Sequence, residues 1–364
     1  MDTQVIELGA VTAPVETVVD AVANAWDTLI GGGVADLRPT PSSIVAQGPQ
    51  RTVRRYRSPQ HARPDAAPVL LVPPLAAPIS CFDLRRRCSL AEYLLAHGFP
   101  CYVVDYGPIG FSDRQLGLEH WIEEVIPTAV ADVSDDAGGV PVRIVGWCLG
   151  GIISLFSVAA HPELPVQAIA AVASPFDFQQ VRLFAPIRRL AGLTGGGVVT
   201  GLYRALGGAP APLVGWAFKL SAIDKQLTRP LALARNLGDR DALAQMEAVD
   251  DYMGRMLAYP GRTFGQLYHR FFLVNEVAEG RLGLGRRRPE ISLEGIRQPV
   301  LSVAGTADVL APRAAVHPLG DLLPNAAEVE IRDAPGGHLG VLAGRSAAHT
   351  TWRYVRDFLD RQVS

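Results

Sequence analysis

From Pro68 onward the chain alternates short apolar runs with stretches of helical periodicity. Val69-Leu70-Leu71-Val72 contains no polar residue and stops at Pro73-Pro74, as expected of a strand buried on both faces of a parallel sheet. A helical stretch over 89–97 follows, then a second strand in Pro100-Cys101-Tyr102-Val103-Val104-Asp105. Residues 118–136 read as helix. Val142-Arg143-Ile144-Val145 reads as a third strand and runs into Gly146-Trp147-Cys148-Leu149-Gly150-Gly151, with an apolar helix continuing to about Ala160. A fourth strand is expected over 166–173.

The rhythm lapses over 176–295. Glycine crowds 192–208, Ala209-Pro210-Ala211-Pro212 is a stiff connector, and helical stretches follow at 241–257 and 263–277. Strands return at 299–304 and 327–331, and an amphipathic helix at 347–363 closes the chain. The pattern predicts an α/β fold, with a mostly parallel sheet covered by helices on both faces. Its core would comprise 61–175 and 296–364, with 176–295 inserted as a mostly helical cap. Residues 1–60 are set apart as an N-terminal extension. Within it Val15, Val18, Val19, Val22, Trp26, Leu29 and Ile30 form the stripe of an amphipathic helix over 14–30. Glu16, Asp20, Asn24 and Asp27 occupy the other face. Packing on the main domain is expected, and docking to a second chain is the alternative.

Composition narrows the function classes. A chain of 364 residues that is 48% hydrophobic and 19% charged can bury a sizeable core, which excludes a mostly disordered protein. A net charge of −2 gives no field toward nucleic acid or anionic membrane. The uncharged stretch 144–160 is broken by glycines and shorter than the roughly 20 residues of a bilayer span, so no membrane span is expected. Cys81, Cys88, Cys101 and Cys148 lack CxxC spacing, which argues against zinc or disulfide frameworks and for a reduced, cytoplasmic setting. Met1-Asp2-Thr3-Gln4 does not open a signal peptide.

Gly146-Trp147-Cys148-Leu149-Gly150 has the form G-x-nucleophile-x-G between a strand and a helix. Such a turn strains its central residue and needs glycine beside it, projecting the nucleophile at a helix N-terminus where an anion is favoured. Cys148 is therefore the candidate nucleophile, and Cys101, midway along an apolar strand, is a structural cysteine. In doubly wound folds of this kind the acid and then the base follow on loops after later strands. Asp308, after the strand 299–304, and His338, after 327–331, meet that order. Asp177 in Ser174-Pro175-Phe176-Asp177-Phe178 is the fallback acid, with capping of the entry to the insertion as its plainer role. The oxyanion hole should combine the N–H of Leu149 with that of Leu75 or Ala76, because Pro73 and Pro74 have none. A thiolate exchanging with a thioester keeps the acyl group activated, which suits transfer, whereas transfer to water would discard that activation.

These residues resemble those of the polyhydroxyalkanoate synthase family, particularly its short-chain members that work with a second subunit. Val72-Pro73-Pro74, Phe82-Asp83-Leu84, Asp105-Tyr106-Gly107-Pro108, Gly146 to Gly151, Ser174 to Phe178, Tyr268 to Asn275, Ala304 to Asp308 and Gly337-His338 carry the resemblance, from about Val69 to Leu359. It implies the alpha/beta-hydrolase fold and a triad of Cys148, Asp308 and His338. It also implies polymerisation of 3-hydroxyacyl groups from coenzyme A thioesters, a partner subunit or homodimer, and a place at the surface of storage granules. Ala77, Ile79 and Ser80 stand where the family usually has an asparagine and paired tyrosines, and Val309 stands where it often has histidine. A cysteine-dependent lipase, esterase or thioesterase on the same fold is the alternative. Coenzyme A enters as substrate; no bound cofactor or metal is expected. Arg85-Arg86-Arg87 and Arg286-Arg287-Arg288 could meet its phosphates, although charge runs are more often solvated surface.

Overall fold

The structure, a computed structural model, describes residues 24, 26, 32–57, 63, 66–186, 188–189, 200–201, 208–212, 214, 229–285 and 288–362. Eight strands form its central sheet: β1 (Ser42–Gly48), β2 (Arg51–Tyr56), β3 (Val69–Val72), β4 (Cys101–Asp105), β5 (Val142–Trp147), β6 (Val166–Val172), β7 (Val300–Gly305) and β8 (Val329–Ala334). Their order across the sheet is β1-β2-β4-β3-β5-β6-β7-β8. Every pairing from β4 to β8 is parallel. The hairpin β1–β2 joins antiparallel, with Thr52 opposite Asp105.

The unbroken apolar runs have a direct cause. Val69 and Leu71 of β3 enter one core with Cys101, Val103 and Val145, while Leu70 and Val72 enter the other with Tyr102, Val104 and Ile144. Both faces are dry, so alternation has no polar side to express. Helices α1 (Leu90–Ala96), α2 (Ile126–Asp136), α3 (Leu149–Ala160) and, at the C-terminus, Thr351–Arg361 cover the sheet. The last of these buries Trp352, Val355, Phe358 and Leu359, as the amphipathic stripe predicts. In the helical stretch before α2, a π turn at Trp121–Val125 precedes Pro127, which lacks the N–H for a regular bond.

The sheet begins earlier than the sequence reading places it. Ser42–Gly48 and Arg51–Tyr56 lie within the stretch taken as an N-terminal extension, yet they form its antiparallel edge. Most residues of β1 and β2 are partly or fully exposed, and their arginines and serines blur the apolar signal. The helix expected over 14–30 lies outside the described residues except at Asn24 and Trp26. These two reverse the expected faces, Asn24 being 4% and Trp26 61% exposed. The Asn24 side chain donates to the Leu237 carbonyl at 2.8 Å and accepts from Arg240 at 3.1 Å, so burial costs it no hydrogen bond.

Between β6 and β7 the chain leaves the sheet. The described part of this insertion is mostly helical, including α4 (Arg240–Gly254) and α5 (Gly261–Gln266), with a π-helical turn over Leu267–Val274. No described helix is long and apolar enough to cross a membrane.

Order across the sheet reverses at β3: the chain steps outward to β4, then returns past β3 to β5. Such a switch point, at the carboxyl ends of the strands, is the usual ligand position in open α/β sheets. Helix α3 meets the end of β3 by direct backbone contact. A Cβ on Gly150 would lie 2.2 Å from the Val72 carbonyl oxygen. Gly150→Ala is therefore expected to destabilise the protein by about 2–3 kcal/mol, read as a lower urea midpoint; an unchanged midpoint would refute that close approach.

Candidate active site

Cys148 stands between the last residue of β5 and the first of α3 with φ 54° and ψ −123°, a conformation rarely occupied outside glycine. Its own N–H donates to the Val172 carbonyl at 2.8 Å, and its carbonyl accepts from Gly151 N–H at 3.1 Å. Gly146 and Gly151 make the turn fit: a Cβ on Gly146 would lie 2.5 Å from the Gly151 Cα, and one on Gly151 would meet the Ser174 hydroxyl. Cys148 is partly exposed, whereas Cys81, Cys88 and Cys101 are buried.

Asp308 and His338 converge on it. Imidazole Nδ1 lies 2.8 Å from Asp308 Oδ2, and Asp308 Oδ1 accepts from the N–H groups of Leu310 and Ala311, each at 2.8 Å. Cys148 and the same imidazole line one cavity. Backbone bonds fix the spacing of the two loops, from Thr306 N–H to the Ala334 carbonyl (2.9 Å) and from Ala307 N–H to the Gly336 carbonyl (3.0 Å). Trp147 Nε1 donates to the His338 carbonyl at 3.2 Å, with its ring 5.1 Å from the imidazole. Sequence reasoning passed over Trp147, because the middle positions of a G-x-C-x-G pattern carry no residue preference.

Electrostatics follows the geometry. Burial opposes the charge on His338, but the Asp308 carboxylate with its hydrogen bond and the charge at Cys148 hold the imidazole well above its ordinary value. Burial likewise opposes ionisation of Asp308, and His338 with two backbone N–H groups outweighs it, leaving the carboxyl below its usual range. A thiol, imidazole and carboxylate in this chain can pass a proton from sulfur to ring and leave a nucleophilic thiolate.

The N–H groups of Leu149, Leu75 and Ala76 donate to no other group among the described residues. Leu149 opens α3, and Ala76 sits in the left-handed region at φ 66° on the loop after β3. Asp177 is not part of the cluster. Its carboxylate accepts from Gln179 N–H and from Asn275 Nδ2, each at 2.9 Å, so it caps the entry to the insertion.

Two arginines of the run at 85–87 are engaged within the chain: Arg85 is 6% exposed and binds Asp241 (2.8 Å) and Gln245 (3.0 Å), Arg86 pairs with Glu92, and Arg87 is exposed. The cause is local, since the hairpin carrying Arg85 packs under α4 and a buried guanidinium must find partners there. Arg286 and Arg287 lie outside the described residues, and Arg288 pairs with Glu123.

A cavity of about 250 Å³ opens at Cys148 and His338. Apart from these two and Tyr259, its lining is apolar, with Leu149 and Ile152 from α3, Phe178 and Phe184 from the start of the insertion, and Phe264, Phe271 and Phe272 from its later part. Burial, then a charge at Cys148, pushes the Tyr259 phenol up. The insertion is legible in the sequence as helical, but which of its aromatics face the thiol is not.

Residues 67–344 match the family model for the alpha/beta hydrolase fold. The chain belongs to the alpha/beta hydrolase family. Within it, the chain is 27% identical over 335 residues to the poly(3-hydroxyalkanoate) polymerase subunit PhaC of Allochromatium vinosum, covering 91% of each. It is 23% identical to the subunit of that name from Haloferax mediterranei, covering 88% of this chain and spanning 63% of that relative's length. The expected resemblance is thus borne out along most of the sequence. Among solved structures, a carboxylesterase of Nitrososphaera gargenis superposes with a TM-score of 0.51 at 17% identity, covering 89% of this chain and 100% of that one. Alpha/beta hydrolase domain-containing protein 10 from mouse gives 0.50 at 14% identity, covering 88% and 99%. At such identities the two structures speak to the fold alone.

Asp308→Asn should return the His338 imidazole toward its ordinary value of about 6.5, which NMR titration of the ring would read. In the folded protein a raised histidine stabilises below its unfolded value and loses that contribution as pH rises through the raised one. The variant should therefore lose stability chiefly toward neutral and acid pH, where the wild-type ring is charged. An unchanged ring titration would refute the coupling.

Proposed function

We propose that this protein is an acyltransferase of the polyhydroxyalkanoate synthase type, moving 3-hydroxyacyl groups from coenzyme A thioesters to a hydroxyl acceptor. The observation that carries this reading is a thiol, imidazole and carboxylate chain set on a strained turn at an apolar cavity. Similarity to polymerase subunits over 91% of both lengths supports it. The segment 176–295 acts as the cap over this cavity.

In this reading the proton of the Cys148 thiol sits on His338, and the sulfur attacks the thioester carbonyl. The resulting oxyanion is held by the N–H of Leu149 and that of Leu75 or Ala76. The carbon–sulfur bond to coenzyme A then breaks, and the departing thiolate takes the proton from His338. Next, the hydroxyl of an incoming 3-hydroxyacyl group gives its proton to His338 and attacks the acyl-Cys148 carbonyl; the carbon–sulfur bond breaks and the sulfur leaves as a thiolate beside the protonated ring, which restores the starting pair. Asp308 keeps the ring oriented and its charge balanced through both halves. No Lys or Arg lines the cavity among the described residues, so the charged nucleotide of coenzyme A stays outside. The relatives are named as subunits, which supports a partner chain, and a polymer product would place the protein at a granule surface.

A hydrolytic second reading draws on Ala77 and Ile79, which replace the family's asparagine and a tyrosine on the loop after β3. Water would then take the acyl group. Incubation with a 3-hydroxyacyl-coenzyme A separates the two: polymer is expected, and free hydroxy acid alone would overturn polymer formation. Cys148→Ala should give no acyl adduct by intact mass, while the wild type gains one acyl group; an adduct that persists on the variant would end the nucleophile assignment.

A further inference from the structure

The cavity at Cys148 exceeds what a four-carbon hydroxyacyl group fills. Its volume is about 250 Å³, whereas roughly 150 Å³ of apolar cavity suffices to hold benzene. Five phenylalanines line it, and four of them form one cluster. Phe184 stacks on Phe272 at 4.3 Å, and Phe178 lies 5.3 Å from Phe272 and 5.4 Å from Phe271. Apart from Cys148 and His338, Tyr259 is the one polar residue lining it among those described. A tail with a charge or a further hydroxyl would lose its hydration against these rings and gain no partner. A short acyl group would leave the rings facing empty space or unfavourable water.

We propose that this cavity is an acyl-tail site selecting 3-hydroxyacyl thioesters with an apolar tail, about six to ten carbons in all, over the four-carbon group. The inference rests on the acyl-transfer reading and adds to it the class of acyl group, which departs from the short-chain type that the sequence resembles. Each methylene moved from water into such a site should raise affinity about fourfold. Four additional methylenes then separate an eight-carbon from a four-carbon substrate on the order of a hundredfold.

Two measurements test this on the full chain. Calorimetry on Cys148→Ala compares binding of 3-hydroxyoctanoyl- and 3-hydroxybutyryl-coenzyme A without chemistry. Intact-mass kinetics on the wild type compares the rates at which the two acylate Cys148. The eight-carbon ligand is expected to bind and react on the order of a hundredfold better; equal values would overturn the tail site and leave acyl transfer standing. Failure of every thioester to acylate, with the eight-carbon ligand still binding tighter, would sink acyl transfer and support the tail site. Phe272→Ala should cost the eight-carbon reaction about tenfold more than it costs the four-carbon one. Parallel losses on both would assign Phe272 a merely structural role and overturn the proposal.

Discussion

A single backbone conformation anchors this molecule's chemistry. Cys148 holds φ 54° between β5 and α3, a strain of order 1–3 kcal/mol that only rigid surroundings sustain. Those surroundings are close-packed: Gly146 lies against Gly151, Gly150 against the end of β3, and α3 has ten of its twelve residues buried. The sheet supplies the rigidity because both of its faces are covered. The strain in turn lifts the sulfur out of the core, which sets it apart from the three buried cysteines.

The partners of the thiol are held by a different device. Asp308 and His338 sit on loops after neighbouring parallel strands, so their separation follows from strand spacing and from two backbone bonds between the loops. A carboxylate with 0% side-chain exposure is costly alone. Three hydrogen bonds and an imidazole with a raised proton affinity offset that cost. Trp147 adds a bond to the carbonyl of His338, so the residue before the thiol steadies the residue that serves it.

The insertion completes the site and is itself fastened to the sheet domain. Asn275, in the left-handed conformation, accepts from Phe178 N–H and donates to Asp177, stitching entry segment to later helix. On the other side, Asp241 of α4 binds Arg85 and Arg345, and Gln245 donates to the Ala343 carbonyl. Arg85, from a basic run expected as solvated surface or, less often, a phosphate contact, therefore serves as a fastening. Burial decides this, because a guanidinium under a helix is held by its carboxylate partner and is not open to a ligand.

Much of the sheet was legible because parallel strands buried on both faces leave unbroken apolar runs, as in Val69 to Val72 and Ala168 to Val172. The turn at Cys148 was legible for a related reason: backbone contacts of 2.5 Å and less admit only glycine, so the constraint is written into residue identity. Chain order likewise pointed to Asp308 and His338. The edge strands β1 and β2 escaped notice, since partial exposure lets polar residues replace the apolar signal. So did the work of Trp147, the fastening by Arg85 and the ring cluster at the cavity. Local sequence can state that a segment is apolar, strained or charged. Which groups it meets depends on contacts between residues far apart along the chain, and those are settled when the sheet and the insertion pack together.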